Sequence, residues 1–217
     1  CSSWRGKSIA CATVISRRPQ LWLRDDQDRE RARELLRLYE HRRHAGAAGT
    51  RCAVRAQPAL AVVAERGRSL RRLLGEACAL AALIGSSLKF EGRLIVQAQG
   101  NGPVRYVVAD YGTDGHLRGY CRFDPDEVAA ASQGFARPGA KTLLGEGVFV
   151  MTLDRGPDFE RTQGITPIEG ESLSLAAEHY FQQSEQIPTK VRLAVGEVST
   201  EAGRSWRAGG ALIQLIA

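Results

Sequence analysis

From Leu73 to Ile84 apolar residues fall on nearly every face of a 3.6-residue period, the pattern of a helix buried all round. A helix of that kind needs protein on both sides. Serine follows at once in Gly85-Ser86-Ser87, where the pattern breaks. From Arg93 to Gln99 the chain alternates in the manner of a half-buried strand, and Gly100-Asn101-Gly102-Pro103 supplies turn residues. The order helix, strand, turn therefore restricts the fold to one in which strands wrap a central helix, and Ser69 stands where it could cap that helix.

The strand signals continue. Val104 to Ala109 alternates, Tyr111-Gly112-Thr113-Asp114-Gly115 turns the chain, and His116 to Phe123 forms a third strand, giving an antiparallel meander. Asp124 to Lys141, with Pro125, Gly134, Pro138 and Gly139, predicts a short helix within a long connection. Val148 to Leu153 and Phe159 to Ile165 predict a hairpin about Asp154-Arg155-Gly156-Pro157. Gly170 and Ser172 open a helix to about Gln186, with Leu173, Ala176, Ala177, Tyr180 and Phe181 on one side and Pro188 beyond its end. Val191 to Val195 and Ala208 to Ile216 complete the strands. The expected fold class is α+β, with antiparallel strands carrying the Leu73–Ile84 and Leu173–Gln186 helices.

The first third reads differently. Residues 1–72 hold 17 Lys and Arg against 7 Asp and Glu, so +10 of charge, and the remainder carries −4 within a net +6. Cys1 to Pro19 suggests coil with a weak strand around Ala12 to Ile15. Asp25 to His44 has acids at its start, Arg and His at its end, and a narrow stripe of Ala32, Leu35, Leu36 and Tyr39, as in an amphipathic helix. Its interleaved acids weaken any field toward nucleic acid or an acidic membrane and favour a solvated face. Ala45 to Gly67 has the composition of a linker with one apolar patch, Leu60 to Val63.

Three long blocks carry a family resemblance: LLGEACALAALIGSSLKFEGRLIVQAQGNGPVRYVVAD from Leu73, YFQQSEQIP from Tyr180 to Pro188, and WRAGGALIQ from Trp206 to Gln214. Together they resemble the bacterial redox-regulated chaperones of the heat-shock protein thirty-three family, from about Leu70 to the last residue. The resemblance implies an ATP-independent holdase of the cytoplasm that works as a homodimer on unfolding clients under heat and oxidative stress. It also implies a C-terminal zinc domain whose four cysteines switch activity, and this sequence stops before such a motif. The domain expectation is a divergent Arg- and Ala-rich segment over residues 1–68 and a chaperone core over residues 69–217. A shifted reading frame upstream of about Leu70 would produce a segment of that composition, and poor packing is expected there.

A search for chemistry points the same way. No nucleophile with its base, metal cluster or phosphate cradle stands out, so the expectation is no enzyme, no catalytic residue, no cofactor and no metal ligand in this chain. Gly100-Asn101-Gly102 lies between strands rather than opening a helix, which makes it a hairpin turn. His116 and Cys121 are separated by an odd number of residues along one strand and should point to opposite faces. The five cysteines, Cys1, Cys11, Cys52, Cys78 and Cys121, show no close pairing and suit a reducing compartment without a thiol switch. Lys89-Phe90-Glu91-Gly92 and Gln183-Ser184-Glu185-Gln186 are expected to satisfy helix ends. The longest apolar run is well short of the ~18 to 20 residues of a membrane span. Client proteins are the expected partners, nucleic acid is not, and two other classes stay open: an interaction or oligomerisation module, and nucleic-acid binding through the Arg-rich third.

Overall fold

The computed structural model describes residues 11–13, 67–88, 90–200 and 203–214. Its axis is helix α1, Arg68–Ser87, which buries Leu70, Leu73, Leu74 and every residue from Ala77 to Gly85. Strands β2 (Arg93–Gly100), β3 (Val104–Gly112) and β4 (Leu117–Phe123) follow as an antiparallel meander. Short helices α2 (Pro125–Ala131) and α3 (Ala140–Leu144) lead to the hairpin of β5 (Gly147–Asp154) and β6 (Thr162–Pro167). Helix α4 (Leu173–Ser184) precedes a long hairpin of β7 (Thr189–Thr200) and β8 (Gly203–Gln214).

These strands make two sheets. One has the order β4-β3-β2-β5-β6; the other is β7 and β8, with the short strand β1 (Cys11–Thr13) pairing antiparallel to β8. Helix α1 packs on β2, β3 and β4 to one side and on β7 and β8 to the other, which is why its sequence is apolar all round. Two glycines set how closely it sits. A Cβ at Gly75 would lie 2.7 Å from Val195 Cγ1 on β7, and one at Gly119 of β4 would lie 2.8 Å from Leu74 Cδ1. Bare backbone at these points lets helix and strand approach in a way that a side chain would block.

The α+β architecture, the three-strand meander and both long helices follow the sequence expectation. Several boundaries do not. The expected cap at Ser69 is not made: Gly67 precedes the first turn, without a side-chain cap, and Ser69 is helical. The helix also runs through Gly85-Ser86-Ser87, because both serine hydroxyls donate back to helix carbonyls, Ser86 Oγ to Leu83 O and Ser87 Oγ to Ile84 O. Gly85 is required there for space, since its Cβ would fall 2.2 Å from the ring of Tyr111.

Strand β6 begins at Thr162 rather than Phe159. Phe159 N donates to Gly156 O and Arg161 Nε donates to Asp154 Oδ2, so the turn occupies the residues expected to start the strand. The 124–141 connection holds a second helix, α3, beyond the one expected. Strands β7 and β8 exceed their predicted lengths, pairing without interruption from Thr189 opposite Gln214 to Thr200 opposite Gly203. The first third, expected to pack little, contributes β1 to the smaller sheet, one residue ahead of the strand expected at Ala12 to Ile15. The Asp25–His44 helix and the Leu60–Val63 patch lie outside the described residues.

Candidate functional site

The motifs that invited a chemical reading resolve into scaffold. Around Gly100-Asn101-Gly102, Asn101 N donates to Glu146 O and Gly102 N to Leu144 O, while Asn101 Oδ1 accepts from Glu146 N. A Cβ at Gly100 would lie 2.1 Å from Leu144 O. The turn is therefore bolted to the start of β5, and its Asn101 and Gly102 amides are committed. His116 lies just before β4 and is exposed beside Asp114, whereas Cys121 is buried toward α1. Gln183 pairs with His179 and Tyr180 donates to Glu185, so these residues satisfy side chains more than helix ends. Phe90 packs against the core and Gly92 N donates to Thr113 Oγ1; Lys89 lies outside the described residues.

The feature that remains is the outer face of the five-stranded sheet. Alternation sends Leu94, Val96, Ala98, Val107, Ala109, Phe149 and Met151 inward to α1 and α4, and the intervening residues outward. Register lines the latter up across strands. One row runs Tyr120, Val108, Gln97, Val150, Ile165, in which Val150 is itself buried; the next runs Arg122, Tyr106, Gln99, Val148, Pro167. Tyr120 is 55 % exposed and Ile165 57 %, which places a large apolar side chain in water at each edge. Tyr106 and Tyr120 pack with ring centroids 5.9 Å apart. Gln97 Nε2 donates to Gln99 Oε1 at 2.8 Å and Gln163 Nε2 to Thr152 Oγ1 at 2.9 Å.

One end of this face is closed by charge. Arg93 and Arg118 both donate to Asp110, and Arg161 donates to Asp154. Burial alone would push the Asp110 carboxyl up, but hydrogen bonds and charge from Arg93 and Arg118 outweigh it and hold the group below the usual carboxylate range. A depressed folded value contributes stability that is complete above the unfolded value near 3.9 and is lost as pH falls through the folded one. Both arginines are largely exposed, so the expected contribution is about 1 kcal/mol or less and weakens with salt. Asp110→Asn should thus lower stability slightly at neutral pH and flatten its fall in acid, read by urea titrations between pH 2 and 6. Equal acid slopes in variant and parent would remove Asp110 from the account.

Chemically the face offers apolar contacts and amides, with neither nucleophile nor base, so it suits binding of extended apolar chain. Sequence reading assigned no residue to a binding surface. The signal was present, because Ile95, Tyr106, Val108, Tyr120, Val148, Val150 and Ile165 put apolar residues into the outward phase of strands that already have an apolar inward phase.

Comparison with known proteins supports the family resemblance and carries it further toward the N-terminus than the expected start near Leu70. The family model described as Hsp33 protein matches residues 53–217, beginning upstream of Leu70. A 33 kDa chaperonin of Caulobacter vibrioides is 77% identical over 145 residues, covering 67% of this chain and 48% of that protein. The 33 kDa chaperonin of Proteus mirabilis is 37% identical over 127 residues, covering 58% of this chain and 40% of its own. The crystal structure of the 33 kDa chaperonin from Thermotoga maritima matches with TM-score 0.60 at 24% identity, over 73% of this chain and 53% of that one, a likeness of fold. The chain spans about half the length of the curated relatives it matches.

Proposed function

Because the chain belongs to the Hsp33 family, we propose that it is a molecular chaperone that holds unfolding proteins without ATP, and that the outer face of its five-stranded sheet is where it holds them. The observation that carries this reading is the pair of apolar and amide rows from Tyr120 to Ile165, on the side of the sheet away from α1 and α4. Non-directional contacts of this kind accept many sequences, which is what a holdase requires. A homodimer, a cytoplasmic site of action and the absence of catalysis belong to the same proposal. No helix among the described residues is long and apolar enough to cross a membrane.

The zinc that the family resemblance implies does not fit the residues described. Among them no group of three or more His, Cys, Asp or Glu is placed to hold a metal ion, and Cys78 and Cys121 are buried in the apolar core. Client holding by the sheet face is accordingly proposed to need no metal.

The test is a double variant, Tyr120→Asp with Ile165→Asp, assayed by light scattering with a thermally unfolding client. Both side chains are more than half exposed, so the fold should change by only about 0.5 kcal/mol per site. Loss of two apolar anchors and gain of two charges should weaken client holding about tenfold or more. A chelator should leave the parent's holding unchanged. A double variant that stays folded by circular dichroism and still suppresses aggregation fully would place the client surface elsewhere.

A further inference from the structure

Cys78 on α1 and Cys121 on β4 are remote in sequence and are both buried where that helix packs on that strand. Both are free thiols, 3 % and 7 % exposed. Gly119 and Cys121 stand two residues apart on β4 and so present the same face to α1. A Cβ on Gly119 would lie 2.6 Å from Cys78 Sγ. The sulfur of Cys78 therefore rests over bare β4 backbone, in the gap left by the missing side chain, two residues along the same strand face from Cys121. Burial pushes the Cys78 thiol up to about 12, with Cys121 adding to the rise, and burial raises Cys121 as well.

We propose that Cys78 and Cys121 are a latent redox pair, which hydrogen peroxide joins as a disulfide when the edge strand β4 parts from α1. In the closed fold both sulfurs are protonated and shielded, and buried thiols of that kind are inert. β4 is the strand to open, since it hydrogen-bonds to β3 on one side and ends the order of its sheet on the other. Opening restores an ordinary thiol acidity to both groups at once. β3 and the turn before β4 still hold the strand near the helix, so the two thiols meet each other at high effective concentration.

The chemistry balances with one peroxide. The Cys121 thiolate attacks a peroxide oxygen; an S–O bond forms, the O–O bond breaks, and hydroxide leaves to become water. The Cys78 thiolate then attacks the sulfenic sulfur, forming the S–S bond and breaking S–O to release a second water. Two thiols lose two protons and two electrons, and one peroxide becomes two waters. The product ties α1 to the edge of the sheet that carries Tyr120, so it pins the edge that local melting would release.

The experiment uses the full chain with hydrogen peroxide, at 25 °C and just below the melting temperature, then alkylation and peptide mapping by mass without reduction. The expected result is a Cys78–Cys121 linked peptide that forms at least about tenfold faster at the higher temperature. Linked protein should melt roughly 5 °C or more above the reduced form, because the crosslink restricts the unfolded chain. Cys121→Ala should abolish the link and return Cys78 unpaired. The proposal is overturned if both thiols alkylate at the higher temperature yet peroxide gives only sulfinic acids or links to other cysteines, or if linkage is as fast at 25 °C.

Discussion

Leu74→Ala and Leu83→Ala should each cost about 3 to 5 kcal/mol of unfolding free energy, the upper part of the range for buried leucines. Both leucines are fully buried on α1. The cost of such a change depends on how far the walls of the new cavity can collapse, and here the walls are unusually stiff. Leu74 Cδ1 lies 2.8 Å from where a Cβ of Gly119 would stand on β4, and Leu83 Cδ1 lies 2.9 Å from the equivalent point on Gly210 of β8. The surfaces left behind are largely backbone hydrogen-bonded into two different sheets, with the Cys78 thiol beside Leu74 and the Leu193 side chain beside Leu83. The sites stand nine residues apart on one helix, ~13 Å along its axis, so their costs should add. A combined loss of about 6 to 10 kcal/mol is comparable with the whole stability of a domain, and the double variant should be unfolded at 25 °C. Urea titrations of the singles and a circular-dichroism spectrum of the double decide it; single losses below about 1.5 kcal/mol would mean that the sheets close over the cavity.

What could be read from the sequence was whatever a local period dictates. The all-round apolarity of Leu73 to Ile84 announced a helix with protein on both sides, and the alternation from Arg93 to Phe123 announced a meander; α1 between two sheets is what those patterns require. The readings that slipped depended on particular side-chain contacts that no local period encodes. Gly85-Ser86-Ser87 looks like a break until Tyr111 is seen to need the space of Gly85 and the serines to bond back along the helix. Phe159 to Arg161 looks like strand until Arg161 is tied to Asp154. The candidate binding face was hidden for a related reason: it exists only as rows across five strands, and register is a property of pairing rather than of any one strand. The same holds for Cys78 and Cys121, scattered by spacing and brought together by the packing of α1 on β4.

Glu178→Ala should remove about 2 to 4 kcal/mol of stability, the largest effect expected from any polar residue described. The stripe of Leu173, Ala176, Ala177, Tyr180 and Phe181 marks the buried side of α4, and Glu178 is buried alongside it at 8 % exposure. Three donors meet its carboxyl oxygens. Val191 N reaches Oε1 at 2.9 Å, Arg192 Nη1 reaches Oε1 at 2.9 Å, and Lys190 Nζ reaches Oε2 at 2.7 Å. Among the described residues β7 ends its sheet on this side, and the Val191 amide donates to Glu178 where a further strand would otherwise accept. Removing the carboxylate leaves a buried N–H unpaired and two cations without their counter-charge. Lys190 and Arg192 are 65 % and 38 % exposed and can turn to water, which keeps the loss below that of a fully buried pair. Glu178→Gln retains an oxygen for Val191 N and should cost about half as much. Native-state hydrogen exchange should show the Val191 amide losing protection in the alanine variant before the rest of β7 does. Protection there equal to the parent's, or a stability loss under about 0.5 kcal/mol, would show that α4 is held to β7 by its apolar stripe alone.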